Sequence, residues 1–521
     1  MKDKTAPHEI RLHSRNIILA AFAVYLMLLP LTTHVAPLQD QMDWMLQAKI
    51  IADPHNPAFA HDYAVQWRPV PNLLGTLLIA AASKVLPIFS AAATIYAAYL
   101  VWFVFAFVYF VRADGRSRPL VELLGVLYAP NHFFLMGFFN FALGLACVFF
   151  ALGWLRRNVA RGGPRTWIVF ALAALATYLS HFVAFGILGL GSLLVCAHAF
   201  ERAWRRYLAW LAALAPSLAG LAWYASHRAG EFYFQYAFHN PLYYAWYQVG
   251  PWAVASSYYP LTPDWAVWIN AALNACAIVA IPALAIRAWR KKRLDLSSPW
   301  LWVAAILLAI GLAAPTRIYE LLRPGQRLIF AAALLIAASS QPRPVSQKTY
   351  RLVLLSLLAL LCWNGLWWHD AARKTEADLQ VVERSLTPDC RMLLLADSHF
   401  HYNEARPYRR KFADPYSYPN SVNPLRYLPY AYLIEHGGFL RTLFGTGIVT
   451  VRHPELLPAV DRPWNLADPQ AAGRYTHLVA TGLPANLADM AQKAAPLFEP
   501  VYQGKNLLIM KRRPALVPNA R

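Results

Sequence analysis

The sequence predicts a polytopic α-helical membrane protein with a C-terminal soluble α/β domain. The chain is 58% hydrophobic and only 14% charged, and its mean hydropathy of +0.34 exceeds what a soluble globular surface normally tolerates. Apolar runs recur between Asn16 and Trp368, each long enough to cross a hydrocarbon core of about 30 Å as a helix. No such run follows Trp368, so we expect a transmembrane domain over residues 1–370 and a soluble domain over 371–521.

About eleven spans are expected, and one further apolar stretch is not expected to cross. That stretch, 71–89, is bounded by Pro71 and Pro87 and contains Lys84, so we predict a non-spanning interfacial or re-entrant helix there. The predicted spans lie near 17–35, 91–111, 119–135, 138–155, 166–182, 184–200, 207–225, 264–286, 299–314, 327–339 and 351–368.

Basic residues indicate the topology. With 71–89 outside the span count, most Lys and Arg residues before residue 370 fall in one alternating set of loops, which the positive-inside rule places in the cytoplasm. We therefore expect a multi-pass bacterial inner-membrane protein with a cytoplasmic N-terminus and a periplasmic or extracellular C-terminal domain. The net charge of +21 then reflects topology and does not indicate nucleic acid. The opposite loops hold only Lys49, Arg68, Lys84, Arg228, Arg317, Arg323 and Arg327.

The first outer loop, 36–90, is the most informative part of the chain. Residues 39–52 have near-helical apolar spacing and predict an amphipathic helix lying on the membrane. Asp40 and Asp43 share one face of it, so the pair could hold a general base, a divalent metal or a cationic group. In the alternative interpretation, Asp40 caps the helix and Asp43 is a solvated acid of its first turn.

Four further polar residues are candidates on the same outer face. Arg68 is suited to a phosphate group, although it could equally anchor to lipid headgroups. Asn131 and His132 join two apolar runs, and His181 occupies the next such turn. Polar groups at membrane depth are functional candidates, whereas a lone histidine in a turn is more often a structural donor.

A basic cluster and an aromatic loop complete the outer face. Arg317, Arg323 and Arg327 follow helical spacing with Glu320 among them, which could bind a lipid phosphate unless Glu320 neutralises its neighbours. The loop 231–263 is dense in Trp and Tyr, which suits sugar rings but is more typical of an interfacial belt.

The C-terminal domain reads as a small α/β unit. Short β-rich runs follow Arg391 and begin at Gly447, His477 and Asn506, with helices expected over 424–443 and 486–494. A metal site is conceivable just after the first run, although an ordinary strand end followed by a loop is the simpler interpretation. The residues concerned are Asp397, His399, His401 and Glu404.

This layout resembles the GT-C-type integral-membrane glycosyltransferases. The resemblance is carried by the span pattern, the acidic first outer loop with Asp40 and Asp43, the proline-bounded helix after Pro71 and the outer C-terminal domain. It implies a polyprenyl-phosphate-linked sugar donor and an acidic general base or metal-associated group, at Asp40 first and Asp43 second. The chain departs from better-known members because it has R-P-V-P-N at 68–72 where they have K-P-P-L, and it lacks their Asp-Glu pair.

The expected function is therefore sugar transfer to a lipid, glycan or protein acceptor at the outer face, with membrane lipid as a partner. A non-catalytic transporter or flippase is an alternative, but it needs charged residues through the bundle, where only Lys84 and Glu122 stand out. An assembly factor for a cell-envelope glycan is a third class, in which the C-terminal domain binds and Asp40 and Arg68 are dispensable.

Overall fold

Apolar helices make up most of the described chain. The computed structural model describes residues 12–200, 204–227, 234–235, 248–318, 321–341, 345–387, 390–396, 421–439, 447–452 and 474–514. Within these residues, 7 helices are long and apolar enough to cross a membrane, which supports a helical membrane protein. Two shorter apolar helices, Pro299–Ala313 and Pro324–Ala338, accompany them.

The described helices are named here in chain order. In chain order they are α1 Leu12–Leu31, α2 Gln41–Ala52, α3 Pro57–Ala60, α4 Leu74–Ala82, α5 Ile88–Val111, α6 Pro119–Leu127, α7 His132–Leu135, α8 Phe139–Asn158, α9 Pro164–Ser180, α10 Phe182–Phe200, α11 Trp204–Ser226, α12 Asp264–Arg290, α13 Pro299–Ala313, α14 Pro324–Ala338, α15 Gln347–Ser385, α16 Pro429–His436 and α17 Pro484–Ala494. A 3₁₀ turn covers Gly250–Trp252.

The predicted span near 119–135 is broken into α6 and α7. Helix α6 has 9 residues and rises only about 13 Å. It ends before Pro130, which lacks an N–H and disfavours helical geometry in the residue ahead of it. Asn131 then starts α7 by accepting the Phe134 N–H at 3.1 Å. A single continuous helix is therefore the wrong description of this segment.

Helix α4 has the length expected of a non-spanning helix. Its 9 residues rise about 13 Å, well short of a hydrocarbon core of about 30 Å. Asn140 of α8 holds its start, because its Oδ1 accepts the Gly75 N–H at 2.7 Å and its Nδ2 donates to the Asn72 carbonyl at 2.9 Å. Asn72 has a φ of 63°, a conformation that asparagine tolerates better than most residues.

Helix α2 forms close to the predicted bounds, but it does not lie on a membrane surface. Every residue except Lys49 and Ala52 is buried. One side packs against α4, and the side expected to face solvent is covered by α16 and strand β8 (Val449–Val451). The surface prediction was wrong because docking of the C-terminal domain buries the polar face of the helix.

The C-terminal sheet contains strands from three of the four expected β-rich runs, whereas the run from Gly447 forms β8 outside this sheet. Its order is β10–β11–β9–β6, with β6 and β9 parallel and the other pairs antiparallel. Strand β10 was not anticipated. The strands are β6 Met392–Ala396, β9 His477–Thr481, β10 Phe498–Gln503 and β11 Leu507–Arg512.

Short strands join this domain to loops between the apolar helices. Strand β1 (Tyr63–Val65) pairs antiparallel with β8, and β3 (Ser257–Tyr258) pairs parallel with β7 (Ser421–Val422). Helix α15 also runs unbroken through residue 371, where the domain boundary was predicted. A small sheet within the loops combines β2 Phe234–Gln235, β4 Arg317–Ile318 and β5 Leu321–Leu322.

Contacts at the two ends of α5 show where the Asp40 loop lies relative to two of the arginine-rich loops. At its last residues, Arg112 Nη1 donates to Asn16 at 2.9 Å and Arg157 Nη2 donates to the Arg112 carbonyl at 3.1 Å. Near its first residues, the Phe89 ring stacks on His34 at 5.0 Å. The Asp40 loop therefore lies at the end away from the arginine-rich loops.

We predict that Asn140→Ala lowers the free energy of unfolding by about 1–3 kcal/mol, because the buried Gly75 N–H and Asn72 carbonyl each lose a hydrogen bond. The Tm of the detergent-solubilised protein checks this. Asn158→Ala is the control on the same helix, since Asn158 bonds only to the Trp154 carbonyl one turn away. Equal Tm shifts for the two variants would show that the Asn140 hydrogen bonds to Gly75 and Asn72 do not stabilise the start of α4.

Candidate functional site

The Asp40 side chain is buried at the start of α2. It is 1% exposed, and it occupies the N-cap position without making a side-chain capping hydrogen bond. Gln39 Nε2 instead donates to Asp40 Oδ1 at 3.3 Å. The Asp40 carboxylate therefore does not cap the helix, although the residue occupies the N-cap position.

Close backbone packing fixes the position of Asp40. Gly137 has a φ of 77°, and a Cβ placed on it would lie 2.5 Å from the Asp40 backbone nitrogen. Trp44 Nε1 donates to the Gly137 carbonyl at 2.9 Å, and the Gln39 N–H donates to the Leu135 carbonyl at 3.0 Å. Only glycine lets the backbone of residue 137 lie this close to the backbone of Asp40, so the turn after α7 fixes the position of Asp40.

Burial and two arginines determine the protonation of Asp40. Removal from water raises its pKa to about 6, because the charged carboxylate is disfavoured in a low-dielectric site. The positive charges of Arg426 and Arg323 and the hydrogen bond from Gln39 pull the pKa in the opposite direction. Asp40 therefore changes protonation close to neutral pH.

Asp43 lies beside Asp40 and is also buried, with 0% exposure. Gln47 Nε2 donates to Asp43 Oδ2 at 2.7 Å across one helical turn. Both carboxylates act on Tyr427, where burial raises the hydroxyl pKa, the Arg426 charge lowers it, and the Asp40 and Asp43 charges raise it. The prediction of a solvated Asp43 was therefore wrong.

The C-terminal domain supplies residues that the sequence did not reveal. The Asn423 N–H donates to Gln39 Oε1 at 3.2 Å, a contact between positions 384 residues apart. The same turn carries Arg426, whose guanidinium stacks on the Tyr427 ring at 5.0 Å. No motif marks this segment, and only docking of the two domains brings Arg426 near Asp40.

Arg323 links Asp40 to His132. Its φ of 58° places it in a left-handed turn immediately before α14, and its backbone N–H donates to the Thr316 carbonyl at 2.9 Å. Its Nη1 donates to His132 Nε2 at 3.2 Å. The structure thus places Arg323 near both His132 and Asp40, with Asp43 one helical turn from Asp40.

Arg327 and His181 form a second buried pair. The Arg327 guanidinium lies 4.7 Å from the Phe138 ring centre and 5.0 Å from that of Phe141, and it donates to His181 Nε2. The Val183 N–H donates to His181 Nδ1 at 3.1 Å. A neutral imidazole has a single acceptor nitrogen, so the two donors compete for this ring.

The remaining candidates have other surroundings. Asn131 uses its amide to start α7 and to bond Tyr99 at 2.9 Å and the Tyr128 carbonyl at 3.1 Å, a structural role. Arg68 is exposed and donates to Gln66. Arg317 is half-buried in β4, and Glu320 lies outside the described residues.

Among the described residues, no group of three His, Cys, Asp or Glu side chains is arranged to hold a metal ion. Asp397, His399, His401 and Glu404 lie outside the described part of the chain, as do most aromatic residues of the 231–263 loop. The described part of that loop contributes Tyr258, which is buried.

Comparison of the sequence with models of known protein families and with curated proteins finds no match. The chemistry of the site is therefore argued from its own geometry.

We predict that the free energy of unfolding of the wild type decreases as pH rises from 4 to 6. In Asp40→Asn the decrease over the same range should be smaller. The folded protein keeps a proton on Asp40 up to about pH 6, whereas the unfolded chain releases it near 3.8. Folding therefore loses up to about 3 kcal/mol as pH rises through this window, at about 1.4 kcal/mol per pKa unit.

Tm measured against pH for both proteins checks this. Asp489→Asn, at a half-exposed carboxylate that pairs with Lys493, serves as the control and should keep the wild-type slope. Parallel curves for the wild type and Asp40→Asn would show that Asp40 titrates normally.

Proposed function

We propose that this protein is a membrane glycosyltransferase of the GT-C type, which moves a sugar from a polyprenyl-phosphate donor to a lipid, glycan or protein hydroxyl at the outer face of a bacterial inner membrane. The observation that carries the proposal is the Asp40 carboxylate, buried at the rim of the bundle with a pKa of about 6 and with Arg323 and Arg426 nearby. A base whose pKa lies near the working pH is well suited to proton transfer.

In the proposed reaction, Asp40 takes the proton from the acceptor hydroxyl. The acceptor oxygen forms a bond to the anomeric carbon, and the bond from that carbon to the phosphate oxygen breaks. The leaving oxygen keeps the electron pair, so polyprenyl phosphate departs with an added negative charge. No other reactant is required.

The arginines explain how that leaving group is stabilised. Guanidinium groups form strong, directional hydrogen bonds to phosphate oxygens, and in a water-poor site their charge is weakly screened. Arg323 is fixed by its backbone bond to Thr316 and its contact with His132, so it needs little reorganisation. Arg426 reaches the site from the other domain, which makes domain docking part of the active arrangement.

Asp43 is the second acidic residue of the proposal. Its bond from Gln47 orients the carboxylate within the helix. Asp43 lies one helical turn from Asp40, and we assign it a supporting role beside the proposed base. We assign the buried pair of Arg327 and His181, which lies among phenylalanine rings, to binding of the sugar donor.

We predict that Asp40→Asn reduces transfer by about 10²-fold to 10⁴-fold, the usual contribution of a general base. Release of polyprenyl phosphate from lipid-linked sugars in membranes measures the rate, and immunoblotting measures the amount of protein. Asp53→Asn, an exposed carboxylate at the other end of α2, is the matched control and should retain wild-type activity. Full activity of Asp40→Asn would reject the proposed base.

We also predict that Arg426→Gln moves the acid limb of the pH–rate profile above its wild-type position near pH 6, since Arg426 lowers the pKa of Asp40. Arg426→Lys keeps the charge and should keep the profile. Arg452→Gln is a second control, because Arg452 belongs to the same domain but bonds to the Tyr63 carbonyl at 2.9 Å. If the acid limb of the pH–rate profile of Arg426→Gln stayed at its wild-type position, Arg426 would not affect the protonation of Asp40.

A further inference from the structure

The buried side chain of Gln39 connects the C-terminal domain to Asp40. Gln39 precedes Asp40 in the chain and is 7% exposed. Its Oε1 accepts the backbone N–H of Asn423 at 3.2 Å, and its Nε2 donates to Asp40 Oδ1 at 3.3 Å. The backbone N–H of Gln39 donates to the Leu135 carbonyl at 3.0 Å, which holds the residue against the end of α7. Gln39 is therefore fixed at its backbone and at both ends of its amide.

The Asn423 N–H determines which way the Gln39 amide faces. A side-chain amide accepts hydrogen bonds through its oxygen and donates them through its nitrogen. Only Oε1 can therefore lie against the Asn423 N–H, and Nε2 is turned towards Asp40. The opposite orientation would bring two donors together at Asn423 and place the amide oxygen beside the Asp40 carboxylate. The N–H of the amide faces Asp40 as long as Asn423 is in place.

Asn423 is itself held by strand pairing and by a turn. It follows β7, which pairs with β3, and the Tyr259 N–H donates to the Val422 carbonyl at 2.7 Å. Asn423 Oδ1 accepts the Leu425 N–H at 3.0 Å, which forms an Asx turn. The strand pair places Asn423 relative to the loop before α12, and the turn stabilises the local backbone that presents its N–H to Gln39.

The two oxygens of the Asp40 carboxylate have different surroundings. Gln39 Nε2 is hydrogen-bonded to Oδ1, whereas no donor among the described residues is hydrogen-bonded to Oδ2. Once a proton binds to Oδ2, Oδ1 becomes the carbonyl oxygen and can keep the bond from Gln39. A proton on Oδ1 would instead face the Gln39 N–H, which cannot accept it. The Gln39 bond therefore favours Oδ2 as the oxygen that takes up a proton.

Gln39 and two arginines act on Asp40 in different ways. Burial raises the pKa of Asp40 to about 6, and the charge of Arg426, the Gln39 hydrogen bond and the charge of Arg323 lower it. The arginines come from the C-terminal domain and from the turn before α14, and their charges act on the whole carboxylate. The hydrogen bond acts on one oxygen. Further titratable groups near this site are Asp43, Tyr427 and His132.

We propose that Gln39 is a positioning residue for Asp40: its amide holds Oδ1, so that Oδ2 takes the proton of the acceptor hydroxyl. This inference rests on the proposed function, in which Asp40 is the base. The acceptor oxygen keeps the electron pair of its O–H bond and the proton moves to Oδ2, so no other reactant is needed. Because the Asn423 N–H sets the direction of the amide, docking of the C-terminal domain orients the base in addition to supplying the Arg426 charge.

Infrared difference spectra of the full-length protein in nanodiscs test this role without requiring sugar transfer. The C=O band of protonated Asp40 is identified by its loss when Asp40→Asn is added to each variant. Gln39→Met removes the hydrogen bond that favours the ionised form, so the titration midpoint of Asp40 should rise by about half a pH unit to one pH unit. The band should also move to higher wavenumber, because the carbonyl oxygen Oδ1 loses its donor.

Gln41→Met is the matched control. Gln41 is buried two residues further along the chain, and its Nε2 donates to the Ala36 carbonyl. Its substitution should change neither the midpoint nor the band. An unmoved midpoint or band in Gln39→Met would overturn the proposal, and so would the same shifts in Gln41→Met.

A double-mutant cycle separates the hydrogen bond from an effect through Arg426. If Gln39 acts only by keeping Arg426 in place, Gln39→Met will not raise the midpoint in the Arg426→Gln background. A direct bond to Asp40 instead gives a rise of similar size in both backgrounds. A rise that disappears in the Arg426→Gln background would contradict the direct bond and the proposal with it.

Gln39→Glu decides the result if Gln39→Met does not fold. It keeps an acceptor for the Asn423 N–H but places a carboxylate oxygen where the donor was, so the Asp40 midpoint should rise by about one pH unit or more. Gln41→Glu adds the same charge two residues away and should raise the midpoint less. Equal rises in the two variants would refute the proposal, since the added charge alone would explain them.

Sugar transfer distinguishes this inference from the proposed function. The acid limb of the pH–rate profile should move upward with the infrared midpoint in Gln39→Met. A raised midpoint together with normal transfer by Asp40→Asn would reject only the proposed function. Loss of transfer in Asp40→Asn together with an unmoved midpoint in Gln39→Met would reject only this inference.

Discussion

The burial of the Asp40 carboxylate is the constraint on which the rest of the site depends. A buried charge is costly unless charges and hydrogen bonds compensate it. Gln39, Arg323 and Arg426 supply that compensation, and they come from the loop before α2, the start of α14 and the C-terminal domain. The three regions must therefore assemble together for Asp40 to be stable in its ionised form, which couples the protonation of the site to the docking of the domains.

Polar residues within the apolar part of the chain serve two different purposes. Asn140 and Asn274 are fully used by backbone groups: Asn140 holds the start of α4, and Asn274 accepts from the Val254 and Ala255 N–H groups at 2.8 and 3.0 Å. Such residues hold loops against helices. His132 and Gln248 instead keep buried polar atoms without partners among the described residues.

Strand pairing makes the two domains one working unit. The β1–β8 and β3–β7 pairs attach loops between the apolar helices to the C-terminal domain, and the hydrogen bond from Asn423 to Gln39 adds a contact beside Asp40. Backbone hydrogen bonds of this kind fix register, so a shift of the C-terminal domain would move Arg426 relative to the carboxylate. In the proposed enzyme, activity therefore depends on contacts far from the reacting atoms.

The lengths of the apolar runs and the positions of prolines determined most of the apolar helices, the short α4 after its proline boundary and most strands of the C-terminal sheet, because both act locally. Asp40 was selected from its place in the acidic first loop and from a family resemblance. Tertiary structure decided the rest. The full burial of α2, the structural role of Asn131 and the approach of Arg426 to Asp40 follow from contacts between distant segments. Local sequence does not indicate which distant segments pack together, because contacts between their side chains form only in the folded tertiary structure.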